Sequence, residues 1–288
     1  IVKEHIKPQL MTVGKDTEEM RSAEVLMLPR GMRAHSVKAF LDEYRTAPER
    51  RKGTAKLQDL ASFIAHAKRF KNTDSALFAN PDPKAPSLTS VIDYHHSGPK
   101  DYARYGEHRG LYCFPLSDEW KAWTSLAGVG MSQEVFAAWV EDHITDVADP
   151  RAAGETAKAL AQTIGAEFAS QARLLELSRG LSIRVGQRLK TKVNLDSGEC
   201  SLQFESEHQD ETGAPLKIPG AFLLALPVFK TGAAYTVAVR LRYRTSGASV
   251  TWYVDLYRAD RIFDHAFNEA CEQAQTETEL PLFVGAPE

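Results

Sequence analysis

Long apolar runs, a cysteine framework and an excess of positive charge are all missing from these 288 residues. No stretch reaches the roughly 18 apolar residues that a membrane-spanning helix needs. The longest, residues 221–229, is interrupted by Pro227. A membrane partner is therefore not expected. Cysteine is down to three residues, Cys113, Cys200 and Cys271, far apart and with no CxxC pair. Such a scattered, odd set suggests neither a disulfide framework nor a thiolate zinc site, and fits a reducing cytosol with partly buried thiols. Lys and Arg total 35 against 38 Asp and Glu, a net charge of −3. Binding that rests on counterion release along a nucleic-acid backbone usually shows a basic excess, so generic nucleic-acid binding is disfavoured and only a local basic face stays open. The opening residues Ile1-Val2-Lys3-Glu4-His5 hold neither an initiator Met nor the apolar core of a signal peptide, so further residues are expected ahead of Ile1. Also absent are G-x-S-x-G, a P-loop and G-x-G-x-x-G; Gly128-Val129-Gly130 lacks the third glycine. No cofactor is expected.

What is present is ordinary globular composition, 43% hydrophobic and 25% charged, in a chain long enough for one large core or two modest ones. Residues 1–22 are polar and weakly periodic and read as an N-terminal arm, which docks on its own body or on a neighbouring subunit. Residues 23–150 read as a mixed α/β portion. A strand is expected at 24–28 and a helix capped by Ser36. A second helix should open at Thr54, with Leu57, Leu60, Ile64 and Ala67 on one stripe. Strands follow at 76–79, 88–94 and 108–114, then helices at 117–126 and 132–147, the latter with Val135, Phe136, Trp139, Val140 and His143 inward. Residues 151–288 read as a long helix, 155–178, then strands at 181–195, 199–207, 221–229, 235–245 and 249–257. A helix at 260–275 and a short strand at 280–284 close the chain. Closely connected strands favour antiparallel pairing. The fold class is thus α+β, with a mixed N-terminal half carrying several helices and an antiparallel β meander in the C-terminal half.

Two constellations stand out as candidate sites. In Arg240-Leu241-Arg242-Tyr243-Arg244 the two-residue period of a strand puts the arginines on one face and Val239, Leu241 and Tyr243 on the other. Across the Ser246-Gly247 turn, Trp252, Val254 and Leu256 match the apolar face, which leaves Tyr253, Asp255 and Tyr257 beside the arginines. Arg240, Arg242, Arg244, Tyr253 and Tyr257 are therefore candidates for a subunit contact, or for stacking bases and holding phosphates of a single strand. An upstream cationic run, Arg184, Arg188, Lys190 and Lys192, adds to the same theme. The second constellation is Asp93 and His95 with Glu107 and His108, at the ends of two neighbouring strands. These four could converge on one divalent metal, although their spacing follows no ligand rule. Glu119-Trp120-Lys121 imitates a nuclease pattern but sits where a capped helix begins, as acidic residues there should. Asp142 with Asp146, and Glu205 with Glu207, share faces and read as solvated charge.

Several strings together resemble a known family. They are Gly53-Thr54-Ala55-Lys56-Leu57, Ser62-Phe63-Ile64-Ala65-His66 with Arg69-Phe70, and Leu116-Ser117 with Glu119-Trp120-Lys121-Ala122-Trp123. Phe136 with Glu141-Asp142, Leu177-Ser178-Arg179-Gly180-Leu181, Leu226-Pro227-Val228-Phe229 and the 240–244 arginine string complete the set. Over about residues 51–288 the chain resembles the phage and prophage YfdQ-like family, a domain of unknown function. The resemblance implies a bacteriophage or prophage product in the cytoplasm of a bacterial host, and it brings no catalytic residues with it. The leading expectation is a non-enzymatic phage protein that self-assembles as a homo-oligomer, a ring or a shell. A single-stranded nucleic-acid-binding accessory of phage replication or recombination is the alternative, and a metal-dependent hydrolase a third.

Overall fold

The computed structural model describes residues 9–15, 22–27, 35–96, 103–180, 184–185, 208–209, 218–246 and 249–287. In chain order the elements begin with β1 (Gln9–Val13), β2 (Ala23–Met27), β3 (His35–Ser36), α1 (Lys38–Glu43), β4 (Gly53–Leu57) and α2 (Leu60–Phe70). There follow β5 (Ala76–Asn80), β6 (Ser87–Val91), β7 (His108–Cys113), α3 (Asp118–Ser125), β8 (Gly130–Ser132) and α4 (Gln133–Asp142). Next come β9 (Val147–Ala148), α5 (Gly154–Ile164), β10 (Phe168–Ala169), α6 (Gln171–Gly180), β11 (Arg184–Val185) and β12 (His208–Gln209). The chain ends with β13 (Ala221–Pro227), β14 (Ala234–Ser246), β15 (Ser249–Leu256), α7 (Ala259–Thr278) and β16 (Leu282–Val284). The class is α+β, with mixed and antiparallel sheets. None of the described helices is long and apolar enough to cross a membrane.

Two compact units interleave along the sequence. The first takes Ile1–Asn80, Ser87–Cys113 and Gln273–Glu288; the second takes Pro81–Pro86 and Phe114–Glu272. Within the first unit a mixed sheet runs β16-β5-β6-β7-β4, antiparallel at its centre and parallel at both edges. A separate small sheet, β1-β2-β3, is antiparallel throughout. The residues 54–67, expected as one helix, divide instead. Gly53 enters at a positive φ of 113°, the next four residues pair with β7, and the Asp59 carboxylate then accepts from the Ser62 N–H at 2.7 Å to start α2 afresh. That capping bond also holds the Asp59 carboxyl below its ordinary range. Likewise α1 starts after Val37, with no side-chain cap, because Ser36 is in β3.

On the α2 side of the first sheet, Phe63 and Ala67 are buried with Leu77, Leu88 and Tyr112. Here Gly110 does work that no other residue could. A methyl group added to it would lie 2.7 Å from Ser90 Oγ and 2.9 Å from His66 Nδ1. Ser90 is fully buried, so it has no room to retreat. Gly110→Ala is expected to destabilise the protein by about 1–3 kcal/mol through this overpacking. Urea unfolding followed by circular dichroism measures it; a change within about 0.5 kcal/mol, the surface-substitution range, would contradict it.

In the second unit β13, β14 and β15 form an antiparallel meander, flanked by β10 and β8 in the order β10-β13-β14-β15-β8, with β9 also on β13. One face is a continuous core of Phe222, Leu224, Val237, Val239, Leu241, Trp252 and Val254, all buried. Helices α3 and α4 reach this face through Trp123, whose ring is 5.8 Å from Phe222, and Phe136, which stacks on Trp252 at 4.8 Å. Both helices are set by serine caps: Ser117 Oγ accepts from the Trp120 N–H and Ser132 Oγ from the Val135 N–H. On the opposite face, the described residues that pack gather at one end. There Ala157 of α5 packs on Leu223 and Ala238, with Leu160, Ile164 and Tyr257 around them.

Two expectations are corrected in this unit. The pattern 155–178 is not one helix, because Gly165 ends α5 in the left-handed region at φ 71° and β10 then pairs in parallel with β13 before α6 begins. The helix expected over 132–147 stops at Asp142, and Val135, expected inward, is 54% exposed while Phe136 and Val140 are buried. The strands expected at 181–195 and 199–207 lie outside the described residues apart from Arg184–Val185. Of the thiols, Cys113 is exposed rather than partly buried, and burial with some help from Glu272 pushes Cys271 up to about 12. Cys200 lies outside the described residues.

Candidate functional site

The open part of the second unit's sheet carries the arginine row. Register pairs Arg240 with Asp255, Arg242 with Tyr253 and Arg244 with Thr251, so the three arginines share a face with both tyrosines. The reason is local. A two-residue period buries Val239 and Leu241 against Trp252 and Val254, which forces every alternate side chain outward. Arg240 lies over the Tyr257 ring at 4.8 Å and Arg244 over the Tyr253 ring at 5.4 Å. Between them Arg242 donates to Asp255 Oδ2, while Asp255 Oδ1 accepts the backbone N–H of Gly128 at 3.1 Å. Thus Asp255 ties the loop before β8 to the centre of the row. Gly130, paired with Tyr253, leaves space that the phenol fills: a methyl there would meet the Tyr253 ring and hydroxyl at 3.3 Å.

Charge on this face is unequal. Arg242 is neutralised by Asp255, whereas Arg240 and Arg244 have no carboxylate partner among the described residues. Each is instead held by an aromatic ring, which orients the guanidinium without discharging it. The arrangement can therefore present two pre-positioned cations and the phenol rings beneath them to an anionic, planar or extended ligand. Of the upstream cationic run, Arg184 is in β11, and Arg188, Lys190 and Lys192 lie outside the described residues.

The four metal candidates are not brought together. Asp93 closes its own loop: its carboxylate accepts the backbone N–H of His108 at 3.0 Å and of Glu107 at 3.4 Å. His95 Nδ1 accepts the Arg104 N–H at 3.1 Å. Glu107 is gripped by Arg50, through Nε and a terminal nitrogen, both at 2.9 Å. His108 turns its ring toward Phe70, 5.0 Å away. Among the described residues no group of three or more His, Cys, Asp or Glu could hold a metal ion. The acidic strings resolve similarly. Glu119 sits in the first turn of α3, Asp146 accepts from the Trp123 indole at 2.8 Å, and Asp142 is the last residue of α4, so those two aspartates share no helix. Glu205 and Glu207 lie outside the described residues.

Sequence reading missed a carboxylate that the structure uses heavily. Asp74 accepts from His96 Nδ1 and from an Arg104 terminal nitrogen, each at 2.8 Å, with its side chain only 6% exposed. It ties His96 to Arg104. Nothing in the local pattern marks it, because its partners are 22 and 30 positions away.

These features define an α+β protein whose best-formed candidate site is an exposed arginine–tyrosine sheet face. The chain matches, over residues 3–287, the family described as "Uncharacterized conserved protein (DUF2303)", and it belongs to that family. No curated protein and no solved structure matches it.

Proposed function

We propose that this chain is a non-enzymatic bacteriophage or prophage protein that acts, in the host cytoplasm, as a self-assembling homo-oligomer of ring or shell form. The phage setting rests on the resemblance of the strings quoted above. The observation that supports assembly is the state of β1. Leu10 is 58% exposed, Met11 47% and Val13 53%, so both faces of this edge strand offer apolar side chains to water. A sheet of so few strands is marginal alone, and an open apolar edge is a template for pairing with another strand. A second copy is the natural occupant: paired β1 edges join copies two by two about a two-fold axis, and a ring or shell forms where a separate contact links those pairs. Hydrogen exchange tests this: the β1 amides on the edge away from β2 are expected to exchange slowly in the concentrated protein and fast on dilution. Fast exchange at every concentration would contradict it.

A second reading is favoured by one specific feature, the pair of uncompensated arginines on tyrosine rings. Arg240 and Arg244 with Tyr253 and Tyr257 suit a single-stranded nucleic acid, phosphates on the guanidinium groups and bases on the rings. Replacing both arginines by glutamine is expected to weaken binding of an oligothymidylate about tenfold or more and to lower the salt slope by about 2. Titration by fluorescence anisotropy measures this. Absence of any binding by the unaltered protein at about 50 mM salt would end the reading.

A further inference from the structure

A different cluster lies in the first unit, around Phe70 at the end of α2. Arg51, just before β4, has its guanidinium carbon 5.3 Å from the Phe70 ring centroid, and Arg69 has its own at 5.5 Å. His66 and His108 meet the same ring edge-on, each at 5.0 Å, and each other at 5.9 Å. Four groups that carry or can take positive charge thus surround one phenyl ring. Burial, and then His108 beside it, hold His66 below its ordinary range, so it stays neutral near pH 7. Its Nδ1 is buried without a hydrogen-bond partner among the described residues.

Neighbouring cations show how unusual the two arginines are. Lys68 is paired with Glu277, Lys71 with Glu279 and Arg50 with Glu107, at 3.0, 2.9 and 2.9 Å. Arg51 and Arg69 have no carboxylate partner among the described residues, and both are exposed. Two acids beside His108 are already engaged: Glu107 by Arg50, and Asp93 by the backbone N–H groups of residues 107 and 108. A helix dipole accounts for a cation in the last turn of α2, a place Lys68 also fills. It does not account for Arg51, which lies outside that helix.

We propose that Arg51 and Arg69, oriented on Phe70, form a binding site for linked phosphate groups, those of a polyphosphate or of consecutive nucleotides in a strand. Guanidinium groups match phosphate oxygens in fork geometry, and cation–π contact fixes their direction at little cost in charge. Two such groups beside one ring are within reach of a single multiply charged ligand. The ring itself is occupied by its four neighbours, so the site reads phosphate and leaves bases unread. It is independent of self-assembly and of the Arg240–Tyr257 face.

The test uses the full chain with two probes, tripolyphosphate and an oligothymidylate of about 15 nucleotides, at about 50 mM salt. Arg51→Gln with Arg69→Gln is expected to weaken tripolyphosphate about tenfold or more, and Lys158→Gln, an exposed cation of the second unit, to leave it unchanged. Loss for tripolyphosphate identifies linked phosphates themselves as the ligand. Loss for the oligothymidylate alone identifies the strand as the source. Unchanged affinity for both probes, or no binding of either by the unaltered protein, overturns the proposal. Both side chains are exposed, and if the double variant melts early the single variants R51Q and R69Q are read instead, each expected to weaken binding severalfold.

Discussion

Truncating Trp252 to alanine is expected to destabilise the protein by about 3–5 kcal/mol, the upper end of what one core substitution does. Trp252 is fully buried at the centre of the second unit's sheet and stacks on Phe136 at 4.8 Å with 17° between planes. Its indole N–H donates to Gln133 Oε1 at 2.6 Å, and Gln133 in turn donates to the carbonyls of Leu177 and Ser178 at 3.2 and 2.8 Å. One side chain therefore joins β15, the start of α4 and the end of α6. The alanine leaves a cavity and also removes the donor that a part-buried amide oxygen, Gln133 Oε1, relies on. Trp252→Phe, which keeps an aromatic ring against Phe136 but loses the N–H and part of the ring volume, is expected to cost clearly less. Urea unfolding of both variants checks the pair, and a loss below about 1 kcal/mol for the alanine would contradict the packing described.

The second large effect concerns mass. In β1, Leu10 and Val13 point to opposite faces, so Leu10→Glu with Val13→Glu places a charge on each. Since both side chains are exposed within one copy, the double change is expected to leave the stability of a single copy nearly untouched. Across a pair of β1 strands it sets like charges in a buried seam, which costs enough to separate copies. Sedimentation velocity of the variant is expected to show a smaller species than the unaltered protein does, the β1-linked pairs having been split. A variant that sediments as the unaltered protein does would remove β1 from the contact.

The arginine–tyrosine face was legible because everything that builds it is local. Alternation over residues 239–244 and 251–257, joined by a short connection, determines both which side chains face out and which lie opposite each other. Serine caps at 117 and 132 were legible for the same reason. What escaped reading depends on partners far along the chain. Leu57, Leu60, Ile64 and Ala67 have helical spacing, yet Leu57 belongs to a strand because β7, some fifty positions later, pairs with it. Nothing near Leu282 signals that it runs parallel to Leu77. A helix break at Gly165 was readable in principle, since a glycine followed by a fresh strand pairing is a stop signal. The strand expected at 88–94 ends at Val91, and the side chains of Asp93, Glu107 and His108 turn to backbone amides, to Arg50 and to Phe70. The Phe70 cluster joins α2, β7 and a residue just before β4, with only the adjacent Arg69-Phe70 and the run Arg50-Arg51-Lys52 as hints.

Native mass spectrometry of the purified, unaltered chain decides whether copies assemble. A discrete particle whose mass is a large multiple of 31.9 kDa is expected. A single-chain mass at every concentration examined would contradict it.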